Sequence, residues 1–350
     1  MSDELTVGEF DFIERVRRKE LARFVQETHT SHVTRHSTLI KGIGDDAALL
    51  RTRAGFDLVV TADLLVEGVD FRLDEDWTTP RDLGHKALAV SLSDAAAMGA
   101  RPRFCLLSVG VPRARWRGRF LDDFYEGVRG LSERYGVRII GGDTSRSPLG
   151  FVIDSVVLGE VRRGRALTRG GAGVGDQIFV TGALGGAAAG LKMLESAAVR
   201  TSRRRAERGL VLKQRRPEPR VEWGALLSEK GLATSLIDLS DGLSSDLAHV
   251  CRESGVGARV EAASLPLDAL LAEAGVSADE ALQLALDGGE DFELLFTANA
   301  RQAARLPREV GGVPLTRIGE VTGERGKVRL VREGKARLLK PGGFEHFRRD

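Results

Sequence analysis

The 350-residue sequence predicts a chain of two domains that each mix α and β structure. The chain is too long for one ordinary hydrophobic core and suits two domains of about 150–200 residues each. Predicted strands and helices interleave along its whole length, so both halves combine the two kinds of element. The pattern starts again after the junction at 162–175, and we therefore divide the chain into residues 1–162 and 163–350.

Several clear elements are predicted in the first half. Thr6-Val7-Gly8-Glu9 matches a capping box and predicts a helix through Val25, followed by a polar loop at 28–41. Two further helices are predicted, one over 80–98 and one carrying Phe120 to Tyr135, which should end at Gly136. Apolar runs predict strands at 57–62, 104–110, 137–141 and 151–159.

The second half opens with a predicted strand over Asp176–Thr181, a glycine-rich turn and a helix at 185–196. Residues 198–220 are rich in arginine, and we interpret Arg203-Arg204-Arg205 as a solvated helix face. A helix over 243–254 should end at Gly255. The remaining strands are predicted at 234–239, 258–262, 292–297, 315–321 and 327–332.

Composition excludes several classes of protein. A net charge of +2 and an aromatic content of 5% argue against a nucleic-acid or membrane partner. Cys105 and Cys251 are the only cysteines, which excludes a disulfide scaffold and a cysteine zinc site and suits a reducing cytoplasm. The acidic N-terminus, Met1-Ser2-Asp3-Glu4, predicts no signal peptide. The apolar stretch 178–194 is broken by glycines and too short to span a bilayer.

Acidic residues are concentrated in glycine-flanked clusters at the ends of apolar runs. Two carboxylates about 4 Å apart repel by roughly 4 kcal/mol at an effective dielectric near 20, so such a set needs cations. Mg²⁺ carrying substrate phosphates is the obvious candidate. The clusters are Gly44-Asp45-Asp46, Thr61-Ala62-Asp63, Ser93-Asp94, Gly142-Asp143-Thr144, Asp238-Leu239-Ser240-Asp241-Gly242 and Gly288-Gly289-Glu290-Asp291.

Asp94 is the clearest single indication of a metal-binding site. Helical spacing places it on the same apolar stripe as Leu83, Ala87 and Val90, where an ionised carboxylate needs a partner. That partner is either a cap or arginine, or a metal ion. Each of the other acids could belong to an ordinary turn, but together they favour metal binding.

Other standard chemistries have no support in the sequence. It contains no Gly-x-x-x-x-Gly-Lys-Ser/Thr loop, no His-Glu-x-x-His, no Gly-x-Ser-x-Gly and no protein-kinase signature set. For His29, His32 and His36 we favour a solvated loop over a metal site.

Taken in order, the clusters resemble the thiamine-monophosphate kinase family, part of the ATP-binding superfamily that includes aminoimidazole ribonucleotide synthetase. The resemblance covers nearly the whole chain in the family's order and spacing. Its stretches are GEFDFIERV at 8–16, GIGDDAALL at 42–50, DLLVEGVDF at 63–71, HKALAVSLSDAAAMGA at 85–100, IIGGDTSR at 139–146, GRALTRGGAGVGD at 164–176, IDLSDGLSSDL at 237–247, DGGEDFEL at 287–294 and GGFEHF at 342–347.

The resemblance implies an α/β first domain that pairs in a homodimer, an α+β second domain, and ATP bound between them. It also implies transfer of a phosphoryl group to thiamine monophosphate without a general base. Several Mg²⁺ ions would be held by Asp46, Thr61, Ala62, Asp63, Asp94, Asp143, Asp238 and Asp241. ATP would contact Gly142, Arg169, Ser240 and Tyr135, and the thiamine phosphate would contact Asp70, Glu290 and Phe344.

Two positions depart from the family pattern. Asp70 stands where the family usually has His, and Ala62 stands where a hydroxyl residue is common. Because an ionised carboxylate only accepts hydrogen bonds and repels phosphate, we expect Asp70 to face the base end of the substrate or to point away from it. Any metal contact at Ala62 must come from the backbone or is lost.

Rival interpretations remain open at this stage. A selenophosphate synthetase should have a reactive residue earlier than Cys105, and the hydrogenase-maturation relative should end in cysteine, whereas this chain ends at Asp350. Aminoimidazole ribonucleotide synthetase matches 164–175 and the C-terminal GGFEHF less well. A metal-dependent phosphatase and a cation- or nucleotide-sensing binding module are the alternatives from other classes.

Overall fold

The computed structural model describes residues 14, 18, 39–41, 45–51, 55–73, 77–116, 118–196 and 204–345. The predicted helix of residues 6–25 lies outside them except for Glu14 and Arg18, and so do most of the loop at 28–41, its three histidines, and Arg203. The described elements form two mixed sheets with packed helices, which confirms the predicted fold class.

The first sheet has the strand order β1-β2-β3-β7-β4-β5, with β6 also pairing with β4. Neighbouring strands are antiparallel, except that β5 and β6 run parallel to β4. Its strands are β1 (Leu39–Lys41), β2 (Ala48–Arg51), β3 (Phe56–Val66), β4 (Arg101–Pro112), β5 (Arg138–Gly141), β6 (Thr144–Ser147) and β7 (Val152–Arg162).

The second sheet has the order β15-β14-β10-β13-β8-β11-β9, and β12 pairs with β13. Only the β10–β14 pair is parallel along this described path. Its strands are β8 (Gln177–Thr181), β9 (Ser235–Asp238), β10 (Gly257–Glu261), β11 (Leu294–Ala298), β12 (Glu309–Val310), β13 (Val313–Thr322), β14 (Val328–Arg332) and β15 (Lys335–Leu339).

The α-helices among the described residues are α1 (Pro80–Ala97), α2 (Phe120–Tyr135), α3 (Gly186–Glu195), α4 (Arg205–Arg215), α5 (Val221–Lys230), α6 (Leu243–Ser254), α7 (Ala269–Glu273), α8 (Ala278–Asp287) and α9 (Ala300–Ala303). Among the described residues, no helix has both the length and the apolar character needed to cross a bilayer. As predicted, α2 and α6 end at left-handed glycines, Gly136 and Gly255.

Helix α1 lies between the two sheets and links the two halves of the molecule. Its residues are mostly buried, because it packs on β3 and β7 on one side and on α5 and β9 on the other. The surrounding core joins Leu88 and Leu92 of this helix to Trp223 and Phe296 of the second half. A polar side chain on α1 can therefore contact residues of either sheet. Helix α1 can in this way bring together functional side chains from both halves of the chain.

Candidate active site

Three carboxylates from distant parts of the sequence converge beside α1. Asp46 precedes β2, Asp94 lies in the last turn of α1, and Asp238 ends β9. Each offers a ligand oxygen, and the three oxygens lie within 4.8 Å of one another. The helix between the sheets brings these residues together, although 48 residues separate the first two and 144 the last two.

Hydroxyl groups orient the carboxylates around α1. Ser91 Oγ donates to Asp63 Oδ2 on the first sheet at 2.6 Å, and Ser93 Oγ donates to Asp238 Oδ2 on the second at 2.6 Å. Asp94 itself accepts from Thr61 Oγ1 at 2.5 Å. Successive polar residues of one helix thus hold acids from both halves of the molecule in fixed positions.

Burial makes ionisation of this cluster unfavourable. It raises the pKa of Asp46, Asp63 and Asp238 to about 6 each. The pKa of Asp94 is raised well above its usual value by burial and then by the neighbouring acids. An opposing positive charge favours the anionic form of the set.

Arg169 supplies part of that positive charge. Its Nε and Nη2 both donate to Asp46 Oδ1, at 3.2 and 2.7 Å, and its backbone N–H donates to Asp45 Oδ1 at 3.3 Å. The charge of Asp46 is the main influence that raises the pKa of Arg169, against the effect of burial. In this structure Arg169 is therefore paired with the acid cluster, and its predicted contact with ATP stays a prediction.

The donor set suits a hard divalent cation. Asp46 Oδ2 is buried and has no hydrogen-bond partner within the described chain, although the other oxygen of the same carboxylate is paired with Arg169. Convergent carboxylate oxygens are the ligands that Mg²⁺ prefers. Asp46, Asp94 and Asp238 therefore form a candidate metal centre.

The other acids predicted as metal ligands lie outside this group of three. Asp63 is held by Ser91, and the charge of Asp241 raises the pKa of Asp238. Asp143 is exposed on the turn before β6, where Oδ1 accepts from Thr144 N, and it does not belong to the group within 4.8 Å. Its role as a ligand stays a prediction.

Ala62 occupies the outer face of the first sheet. Residues alternate along β3, so the buried Thr61 and the exposed Ala62 point to opposite faces. Across the sheet Ala62 pairs with Val156, which pairs with Leu106 on β4, and this row of apolar residues faces away from the acids. Its side chain is therefore remote from the carboxylates, and only its backbone remains available for the predicted metal contact.

A cleft between the two halves contains two further acids of the site and the predicted substrate residues. Its volume is about 250 Å³, and Asp63 and Asp241 line it together with Asp70, Glu290 and Phe344. A second cavity of about 340 Å³ continues past Asp70 and Phe344 towards Trp77. The structure thus gathers in one cleft the three residues predicted to bind substrate.

The predicted substrate residues have distinct surroundings. Asp70 Oδ2 accepts from Val66 N at 2.7 Å, which closes the turn after β3. Glu290 adopts a left-handed backbone with φ of 58° and pairs with Lys86 Nζ at 2.6 Å. Phe344 leaves 53% of its surface exposed at the mouth of the cleft.

The predicted ATP contacts are less closely grouped. Ser240 lines the cleft beside Asp241. Gly142 has a φ of 145°, and a Cβ there would lie 1.9 Å from Leu107 O, so the backbone accepts only glycine. Tyr135 Oη donates to Pro219 O at 2.9 Å, and the Arg134 guanidinium lies over its ring. The ATP roles of these residues stay predictions.

Sequence reasoning missed several residues of the site. Lys86, Gln214 and the buried Asp246 were not singled out, although Lys86 and Asp246 lie inside the stretches of resemblance. Asp246 accepts from the backbone N–H of Gly242 at 3.1 Å, and burial followed by the charges of Asp241 and Asp238 raises its pKa well above the usual value. Gln214 lies in the arginine-rich segment, which carried no signal for a cleft residue.

The fold and this inter-domain carboxylate site define a two-domain protein of the aminoimidazole ribonucleotide (AIR) synthase-related class. The family model for the N-terminal domain of AIR synthase related proteins matches residues 44–161, and the model for the C-terminal domain matches residues 173–331.

More specific similarity is found with individual proteins. Thiamine-monophosphate kinase of Escherichia coli (strain K12) is 41% identical over 310 residues, covering 87% of this chain and 91% of that protein. The crystal structure of thiamine-monophosphate kinase from Stenotrophomonas maltophilia K279a has a TM-score of 0.74 and 39% identity, covering 91% and 96% of the two chains. A structure described as AaThiL complexed with AMPPCP and TMP has a TM-score of 0.77 and 29% identity, covering 99% of each. The chain therefore belongs to the thiamine-monophosphate kinase family and is a kinase.

Proposed function

We propose that this protein transfers the γ-phosphoryl group of ATP directly to the phosphate of thiamine monophosphate, giving thiamine diphosphate and ADP. The bond between the γ-phosphorus and the oxygen bridging to the β-phosphate breaks, and a bond to an acceptor phosphate oxygen forms. The observation that carries the proposal is the single cleft in which Asp63 and Asp241 meet Asp70, Glu290 and Phe344. The AaThiL structure, described as a complex with AMPPCP and TMP, supports the choice of substrates.

Asp46, Asp94 and Asp238 would hold Mg²⁺, with Asp63, Asp241, Asp143, Thr61 and the Ala62 backbone as further ligands. When bound, Mg²⁺ would offset the negative charge of the phosphates that meet in the reaction. The hydroxyls of Thr61, Ser91 and Ser93 keep carboxylate oxygens in place.

No side chain has to remove a proton from the acceptor. A phosphate monoester has a second pKa near 6, so it is mostly dianionic at pH 7 and already nucleophilic. The task of the protein is to align two anions. Arg169, Ser240, Gly142 and Tyr135 would hold ATP for this alignment, and Arg169 would exchange part of its pairing with Asp46 for a phosphate.

We further propose that the protein works as a homodimer in a reducing cytoplasm. The outer face of the first sheet carries no described helix, and Phe104, Leu158 and Val60 form an apolar row across β4, β7 and β3. Phe104 is 40% exposed on this face. Both cysteines are free and buried, which suits a reducing compartment.

The reaction is tested with a panel of phosphate acceptors, ATP and Mg²⁺, with products identified by mass. Thiamine monophosphate should give thiamine diphosphate with one ADP per product. Asp94→Asn should reduce turnover by on the order of 100-fold or more, because it weakens the site that must hold the charge. Release of phosphate from monoesters without ATP would support a phosphatase, and nucleotide binding without turnover of any acceptor would support a sensing module.

A further inference from the structure

Gln214 is a polar residue at the buried end of an otherwise apolar helix stripe. Ala206, Leu210 and Gln214 follow one another at four-residue intervals along α4, and all three are buried. Gln214 retains 6% exposure and lines both cavities of the cleft. Burying an amide costs free energy unless both its donor and its acceptor are hydrogen-bonded, so the partners of this side chain are informative.

The amide nitrogen of Gln214 has a partner that fixes the orientation of the group. Nε2 donates to Glu290 Oε2, and the other oxygen of that carboxylate pairs with Lys86 Nζ at 2.6 Å. A carboxylate held in an ion pair can only accept hydrogen bonds, so the amide cannot be flipped without setting two acceptors against each other. Lys86 also reaches Asp70 O at 3.5 Å, which joins Asp70, Lys86, Glu290 and Gln214 in one chain of polar contacts.

The amide oxygen of Gln214 has no such partner. Oε1 is buried and accepts no hydrogen bond from any residue described in the structure. Its orientation is set by Glu290, so it is a fixed, unpartnered acceptor on a residue that lines both cavities. Val69, Leu191 and Phe344 line the same two cavities as Gln214, and these apolar side chains suit the flat face of a ring that carries an N–H group.

We propose that Gln214 Oε1 accepts a hydrogen bond from the amino group on the pyrimidine ring of the acceptor, an inference that rests on the proposed function. Gln214 is then a specificity-determining residue for the acceptor. An amino group donates to this oxygen, whereas a carbonyl at the same ring position places two acceptors face to face. A buried group left unpaired in this way is the strongest source of discrimination between close analogues.

The test compares thiamine monophosphate with its analogue in which the pyrimidine amino group is replaced by oxygen, oxythiamine monophosphate. Wild-type protein should prefer the amino compound by at least about tenfold in kcat/KM. Gln214→Met keeps a side chain of similar length without the amide. It should raise KM for thiamine monophosphate by about tenfold or more and change kcat less. The ratio of kcat/KM for the amino compound to that for the oxygen analogue should fall close to one.

Gln283→Met is the matched control, because Gln283 is an exposed amide on α8 outside the cavities. It should leave both KM and the preference unchanged. If Gln214→Met folds and keeps the wild-type preference, the inference is wrong. Since the wild-type measurement needs no variant, the absence of a preference would overturn the inference even if Gln214→Met does not fold. Wild type that phosphorylates both compounds equally overturns the inference alone, whereas wild type that phosphorylates neither overturns the proposed function and the inference with it.

Discussion

At the scale of single residues, Asp94 shows how a functional position can oppose stability. Its carboxylate is buried near Asp63, Asp238 and Asp46, and all three neighbouring charges raise its pKa. Thr61 Oγ1 donates to it, but one hydrogen bond does not neutralise a charge. In metal-free protein the ionised cluster should therefore weaken the native state.

Asp94→Asn should stabilise the metal-free protein by about 1–3 kcal/mol at pH 7.5, because it removes one buried charge from a repelling set. The gain should depend on pH. A native pKa above the unfolded value of about 4 means that the native state binds more protons, so wild-type stability falls as pH rises through that window. The gain should accordingly be small near pH 4 and largest above the native pKa. Urea unfolding of both proteins across this range measures it.

Asp279→Asn is a suitable control for this experiment. Asp279 is an exposed acid paired with Arg332 at 2.5 Å, and its replacement should cost at most about 1 kcal/mol. Mg²⁺ should stabilise wild type and this control alike, and Asp94→Asn much less. A destabilised Asp94→Asn with a normal response to Mg²⁺ would show that the carboxylate is structural.

At the scale of elements, the contact between α1 and α2 determines how the acids are presented. The two helices cross at glycines, and a Cβ on Gly127 would lie 1.9 Å from Arg81 O. A Cβ on Gly84 would lie 1.9 Å from Phe124 O. The backbones therefore touch at this crossing, and any side chain there must push α1 away from α2.

Gly127→Ala should destabilise the protein by about 1–3 kcal/mol, as expected for overpacking in a close contact. Gly130→Ala provides the comparison within the same helix, because a Cβ there meets nothing within 4 Å. It should stabilise by about 0.5–1 kcal/mol, since alanine restricts the unfolded chain and favours the helix. Thermal unfolding of both variants measures the contrast, and equal effects at the two positions would contradict the crossing geometry.

Sequence patterns predicted the elements whose cause is local. The helix at Pro80–Ala97 and the glycine stops of α2 and α6 follow from spacing and capping. Helix α5 was missed because Gly224 interrupts its pattern, and that glycine serves a distant contact: its Cβ would lie 2.0 Å from Ala96 O. Long-range contacts of this kind leave no periodic signal.

The same distinction applies to the site. The acidic clusters could be predicted, and three of their acids, Asp46, Asp94 and Asp238, do converge. The role of Gln214 could not be predicted, because its place in the cleft depends on the packing of α4 near Glu290, which the sequence does not show. The orientation of the Ala62 side chain could not be predicted either. Side chains alternate between the two faces of β3, but the sequence alone does not show which face packs on the core.

At the scale of the whole molecule, the apolar row on the outer face of the first sheet leads to a test of the proposed dimer. Phe104→Glu places a charge in the centre of this face, beside Leu158 on the neighbouring strand. Because an unpaired charge is costly to bury in an interface, the variant should be monomeric at concentrations where wild type is dimeric. Sedimentation velocity measures the masses.

Leu338→Glu is the control for the dimer, since Leu338 is a comparably exposed leucine on β15 of the second sheet. It should leave the dimer intact. Wild-type protein that sediments as a monomer at tens of micromolar would refute the pairing through the first sheet.

The packing of the two halves also bears on whether the phosphoryl group is transferred directly or through a covalent intermediate. The cleft places Asp63 of the first sheet and Asp241 of the second half around the same space as the predicted acceptor residues. Both substrates can then be bound together, and a covalent carrier on the protein is unnecessary when the reacting groups are already aligned. We therefore expect a ternary complex and direct transfer.

Direct transfer predicts that incubation with γ-labelled ATP and Mg²⁺ in the absence of acceptor leaves the protein unlabelled. Adding thiamine monophosphate should move the label to thiamine diphosphate in a single step, with initial rates that give intersecting rather than parallel double-reciprocal lines. The carboxylates and the Ser240 hydroxyl of the cleft serve as the internal check, because each of these groups could carry a phosphoryl group. A label on one of them that acceptor discharges at the rate of turnover would replace direct transfer with a two-step mechanism, since only a true intermediate keeps pace with the overall reaction.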